Sequence, residues 1–133
     1  VSEDVLSRLR SICLRLPSVT ERESHGEPAW FADRGKQFAS FADHHHDDRV
    51  AFWCAAPYGR QQELVASDAE RYFAPPYVGG RGWLGVWLDV PLHWAEIAEI
   101  VQDAYRQVAP RRLVAELDAR GEADGRTVPE SGD

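Results

Sequence analysis

Apolar residues recur at helical spacing over residues 2–16, where Val5, Leu9, Ile12 and Leu16 share one stripe behind a candidate N-cap, Ser2, and the first-turn acids Glu3 and Asp4. Pro17 ends that stripe. Residues 18–28 are polar and contain Gly26 and Pro28, so they read as a connecting loop. Three short strands follow at residues 29–32, 37–42 and 50–55, joined by turns at 33–36 and 43–48, where Gly35 supplies the backbone freedom a tight hairpin needs. Pro57, Tyr58 and Gly59 break the alternation. Residues 60–66 then predict a short helix, and the capping-box spacing of Ser67 and Glu70 predicts one further turn. From 83 to 88 the period is two, with Leu84, Val86 and Leu88 on one face and Trp83, Gly85 and Trp87 on the other. A last major helix starts near Pro91 and carries Trp94, Ile97, Val101, Ala104 and Val108 on one stripe, which Pro110 ends. Leu113, Val114 and Leu117 add a short terminal turn, and the Gly, Pro and acid content of residues 118–133 predicts a disordered tail.

The order helix, three strands, short helix, strand, helix predicts an α+β domain over residues 1–117: an antiparallel sheet with helices packed on one face. At 133 residues the chain fits one domain, and no apolar run is long enough to span a bilayer. The acidic start Val1-Ser2-Glu3-Asp4 is unlike a secretory signal, so a cytoplasmic protein is expected. Cys13 and Cys54 fall within apolar patterns and lack metal-ligand spacing, which predicts two reduced, buried thiols. The formal net charge is −7. Residues 114–133 hold six acids against two arginines and supply −4, leaving −3 for residues 1–113. Phosphate backbones are bound by clustered cations, and no such footprint is visible, so any nucleic-acid binding is expected to be weak.

The stretch Tyr72-Phe73-Ala74-Pro75-Pro76-Tyr77-Val78-Gly79-Gly80-Arg81-Gly82-Trp83-Leu84-Gly85-Val86-Trp87-Leu88-Asp89 joins a rigid turn and a glycine-rich bend to a two-faced strand. With Gly35-Lys36-Gln37-Phe38-Ala39 upstream and Asp103-Ala104-Tyr105-Arg106-Gln107-Val108 downstream, it resembles the MmcQ/YjbR family from about Leu6 to Leu117. The resemblance implies a frataxin-like α+β arrangement and a DNA-binding role. Its motifs are scaffold residues, not a catalytic signature.

Arg34, Lys36, Arg60 and Arg81 lie at turns or element ends, where converging cations suit an anionic ligand such as a phosphate or a nucleic acid. The competing reading is that they solubilise turns or pair with neighbouring acids. Trp83 and Trp87 flank Gly85, with Trp53 a candidate neighbour; they suit stacked bases, or alternatively a core or subunit contact. Pro75-Pro76-Tyr77 reads as a rigid spacer with a tyrosine plug. The run His44-His45-His46-Asp47-Asp48 has the residue types for a divalent metal but sits in one polar turn without a further ligand, so it reads as a solvated loop. His25 and Glu27 read as loop hydrogen-bonding groups, since no nucleophile accompanies them. No P-loop, dinucleotide fingerprint or nucleophile elbow is present. The expectation is a non-enzymatic binding protein, monomer or homodimer, with no cofactor. Nucleic acid is the ligand class that the resemblance implies; the alternatives are a small-molecule or protein-interaction module on the aromatic face and, more distantly, frataxin-like metal binding.

Overall fold

The computed structural model of the chain describes residues 2–44 and 48–127. Helix α1 (Ser2–Leu14) leads into strands β1 (Val19–Ser24), β2 (Glu27–Ala32), β3 (Gln37–Asp43) and β4 (Val50–Cys54). Helix α2 (Arg60–Ser67), strand β5 (Tyr72–Phe73), a 3-10 turn (Gly79–Arg81) and strand β6 (Leu84–Trp87) follow. Helices α3 (Trp94–Val108) and α4 (Arg111–Thr127) come last. The six strands form one sheet in the order β1-β2-β3-β4-β6-β5, with every neighbouring pair antiparallel. This is the expected α+β architecture. Among the described residues no helix is long and apolar enough to cross a membrane.

One sheet face makes the core. The register aligns Trp30 with Ala39, Cys54 and Leu84, and Phe41 with Phe52, Val86 and Tyr72; all eight are buried. Leu9 and Cys13 of α1 and Ile97, Val101, Ala104 and Tyr105 of α3 join the same cluster, so these helices cover that face. A β-bulge adds Phe38 to β3, because Trp30 pairs with Ala39 but Phe31 pairs with Gln37. The extra residue is fully buried, and its ring meets Tyr105 edge-on at 5.5 Å. The Tyr105 hydroxyl donates to the Pro17 carbonyl at 2.5 Å, closing the end of α1 onto α3.

Several expectations need correcting. Residues 18–28 are not a loop: they supply β1 and the start of β2, paired from Val19↔Ala32 to Ser24↔Glu27. An edge strand needs no apolar alternation when its outer face meets solvent, and Val-Thr-Glu-Arg-Glu-Ser accordingly looks like loop. The turn is His25-Gly26, with φ of 54° and 83°, the doubly positive conformation of a type I′ hairpin. No helical turn begins at Ser67. Its hydroxyl bonds the Leu64 carbonyl within the last turn of α2, and the following bend is closed by Asp68. Helix α3 starts at Trp94, a few residues after Pro91.

The terminal turn and the first part of the expected tail, residues 118–127, form one helix, α4, which runs to Thr127. Pro110 does not only stop α3; its carbonyl accepts the Leu113 and Val114 amides and so starts α4. Leu113 and Leu117 are buried on the core cluster, Arg106 pairs with Asp118 at 2.8 Å, and Arg120 donates to the Arg15 carbonyl at 2.7 Å. Anchoring on both sides outweighs the poor helix propensity of a Gly-containing segment. Residues 128–133 lie outside the described residues, and so do His45, His46 and Asp47 of the histidine run.

Candidate functional site

The sheet face away from the core is read from the register as the row Ala29, Ser40, Trp53, Gly85 and Phe73. Glu27 begins β2 two residues before Ala29. Gln37 begins β3 opposite Phe31, two residues beyond Ala29 in the other direction. Two-residue periodicity places Glu27 and Gln37 on the same open face as Trp53, at opposite ends of it.

A cleft of about 870 Å³ lies on this face. One end is formed by Ser24, His25 and Glu27. The other is formed by Lys36, Gln37, Arg81 and Trp83, with Ser40 and Trp53 between and the Tyr77–Val78 segment as a wall. Such a volume suits an organic ligand of ordinary size.

The wall carrying Arg81 and Trp83 is held by one buried side chain of α2. Gln61 is 7% exposed, and its amide nitrogen donates to the carbonyls of Gly79 at 2.8 Å and Trp83 at 2.5 Å. A polar group this buried is retained when both ends of the interaction are satisfied. Gln61 therefore fixes the glycine-rich bend against the domain, and the Arg81 guanidinium rests 5.9 Å from the centre of the Trp83 ring. Across the bend, Tyr77 has φ of 68° and is 84% exposed, an uncommon conformation for an aromatic residue in a loop that opens on the cleft.

The far end is also organised by hydrogen bonds. Glu27 accepts the Asp43 backbone amide at 3.1 Å, which orients its carboxylate, and the His25 ring bonds the Ser24 hydroxyl at 3.1 Å. Glu27 makes its bond from the start of β2 and not from a loop.

Of the residues picked out as candidates, Lys36, Arg81 and Trp83 line the cleft together. Arg34 is exposed on the same hairpin tip as Lys36 but is not part of the lining. Arg60 is turned elsewhere, toward Asp103 at 3.3 Å and Glu63 at 3.6 Å. Trp87 is also engaged elsewhere. Its ring stacks on Phe73 at 4.1 Å between centroids, and the Arg49 guanidinium lies 3.7 Å from its ring centre. Arg49 in turn pairs with Asp89 at 2.7 Å, and this hydrogen bond holds the Asp89 carboxyl below its ordinary range despite partial burial. The space beside Gly85, between Trp83 and Trp87, is filled by the Phe73 ring. Gln37 and Ser40, which line the cleft, and Gln61, which holds the bend beside it, were not legible as site residues, because only the strand register and the packing of α2 place them there.

Among the described residues, no three His, Cys, Asp or Glu side chains gather as a metal site. His44 pairs with Asp43 next to it. Both cysteines are free and buried, and burial pushes both thiols well above their ordinary range.

Residues 14–107 match the model of the YjbR family. No curated protein matches the chain. The crystal structure of Deinococcus radiodurans protein DR2400, with a DUF419 domain, is similar with a TM-score of 0.63 over 75% of each chain. At 17% identity, that likeness is one of fold.

Proposed function

We propose that this chain, which belongs to the YjbR family, is a non-enzymatic binding protein whose cleft takes a short segment of single-stranded nucleic acid. The observation that carries the reading is the meeting of Lys36 and Arg81 with Trp83 at one end of a cleft that continues over Trp53. A base stacked on indole gains contact area whatever its identity, while a cation beside it donates hydrogen bonds to the phosphate. A single strand fits better than a duplex. Its bases are free to stack, and two cleft cations on a chain of net charge −7 are too few to hold the paired backbones of a duplex. Affinity is expected to be modest.

The test is a titration of oligothymidine, by quenching of tryptophan fluorescence, over a range of salt. Two phosphate contacts on a single strand give a log–log salt slope of roughly −1.4. Tighter binding of the matching duplex, or no binding of either at low salt, would overturn the proposal.

A small-molecule reading is favoured by a separate observation, the unequal ends of the cleft, with cations at one and a carboxylate at the other. Binding of a free nucleotide as tightly as of a strand would select it.

A further inference from the structure

We infer that the cleft reads the base it holds, that the base is guanine, and that Glu27 is the reading residue; this rests on the proposal that the cleft takes a nucleotide unit. Glu27 starts β2 two residues from Ala29, whose cross-strand partners are Ser40 and then Trp53. Two residues of strand are about 7 Å, so the Glu27 backbone lies roughly that far along the strands from the Trp53 row. Gln37 lies two residues the other way in the register, and Lys36 and Arg81 line that end. A base lying over Trp53 with its phosphate toward Lys36 and Arg81 therefore turns its opposite edge toward Glu27.

The chemistry of that edge selects the base. Glu27 is only partly buried, and the Asp43 amide occupies one site on Oε2 at 3.1 Å. An ionised carboxylate offers about four acceptor sites and no donor, so accepting sites remain. Guanine presents two adjacent donors, N1–H and the N2 amino group, and so forms a paired hydrogen bond with a carboxylate. Adenine and cytosine place an acceptor lone pair beside their amino donor, which a carboxylate repels. Uracil and thymine offer one N–H between two carbonyls. Watson–Crick edges are read in this way when single-stranded bases are held on aromatic side chains. A good bidentate contact discriminates against the wrong base by roughly tenfold or more.

The test titrates the full chain and Glu27→Gln with GMP, IMP, AMP, CMP and UMP, and then with oligothymidine carrying one guanine against oligothymidine alone. The expected result is GMP roughly tenfold tighter than AMP, CMP and UMP, with IMP between them because it lacks the N2 donors. Glu27→Gln keeps an oxygen for the Asp43 amide, so it should fold, bind all five nucleotides alike and lose the guanine preference. Preference seen only within the strand identifies nucleic acid as the source of the guanine, and preference seen only among the mononucleotides identifies a free nucleotide. Equal affinities for all bases, or a guanine preference that survives Glu27→Gln, overturns the inference and leaves the cleft reading standing. Absence of any nucleotide or strand binding overturns both.

Discussion

Gly85 and Phe73 face each other across the β6–β5 pair, and the phenyl ring occupies the space that a side chain at Gly85 would need. The ring is thereby laid against Trp87, and the outermost two-residue strand is fastened to the sheet by an aromatic stack as well as by its few backbone bonds.

Gly85→Ala should force Phe73 out of that position and cost roughly 1–3 kcal/mol, the usual penalty for overfilling a packed site. The urea midpoint should fall with the slope unchanged. Adding Phe73→Ala should recover part of the loss, because the two positions are coupled. A Gly85→Ala protein as stable as the parent would contradict this packing.

Glu21 should make stability depend on acid. Desolvation raises its carboxyl, but hydrogen bonds from Arg10 and from the Trp30 indole outweigh that and hold it below the ordinary value of 4.5. A lowered folded value means that the stabilisation is complete above about pH 4.5 and is lost as the pH falls through the folded value. At neutral pH, Glu21→Gln should cost roughly 1.5–3 kcal/mol. The gap between parent and variant should close in acid. A gap that stays constant from neutral to acidic pH would refute the assignment.

Gln61→Ala should remove the side-chain donor shared by the Gly79 and Trp83 carbonyls, of which Gly79 keeps the Gly82 amide, and loosen the bend that carries Arg81 and Trp83. About 1–3 kcal/mol of stability is expected to go, with faster amide exchange confined to residues 78–83 and weaker oligonucleotide binding. Uniformly faster exchange throughout the sheet would mean that Gln61 serves the whole fold and not this wall.

Lys36→Glu and Arg81→Glu should each weaken strand binding and make the salt slope shallower by about 0.7. Arg111, exposed on α4 and absent from the cleft, serves as the control. If Arg111→Glu weakens binding as much as the other two, the effect is one of net charge, and the cleft is not the contact surface.

Cutting the chain after Leu117 should lower the melting temperature by several degrees, because it removes Asp118 from Arg106 and Arg120 from the Arg15 carbonyl. An unchanged melt would show these contacts to be worth little.

What was legible in the chain follows from which residues had to be apolar. Strands β2, β3, β4 and β6 and helices α1 and α3 bury large side chains at regular spacing, so Trp30, Phe41, Phe52, Leu84 and Val101 announce them. Strand β1 buries little and looked polar, although His25-Gly26 already carried a hairpin signal. Strand β5 is two residues long, shorter than any period. Helix α4 was hidden by its acids and Gly121, and contacts remote in sequence, such as Arg112 with Asp33 and Arg120 with the Arg15 carbonyl, help to hold it. For the site, turn position pointed to Lys36 and Arg81, but the same rule also chose Arg60. Its partner Asp103 is 43 residues away and could not be foreseen. Glu27 reaches the cleft only through strand register, and Gln61 supports its bend only through helix packing.

The bond from Tyr105 to Pro17 spans 88 residues, and that from Arg120 to Arg15 spans 105. During synthesis, α1 emerges ahead of the sheet and yet waits for α3 and α4 before these clasps close. The β1–β4 meander, whose pairings are local, has everything it needs much earlier. In that interval its oily side is unprotected, with Trp30, Phe41 and Phe52 open to other nascent chains. The protein's most vulnerable moment is thus built into the order of its elements, and slow translation of the last helices would prolong it.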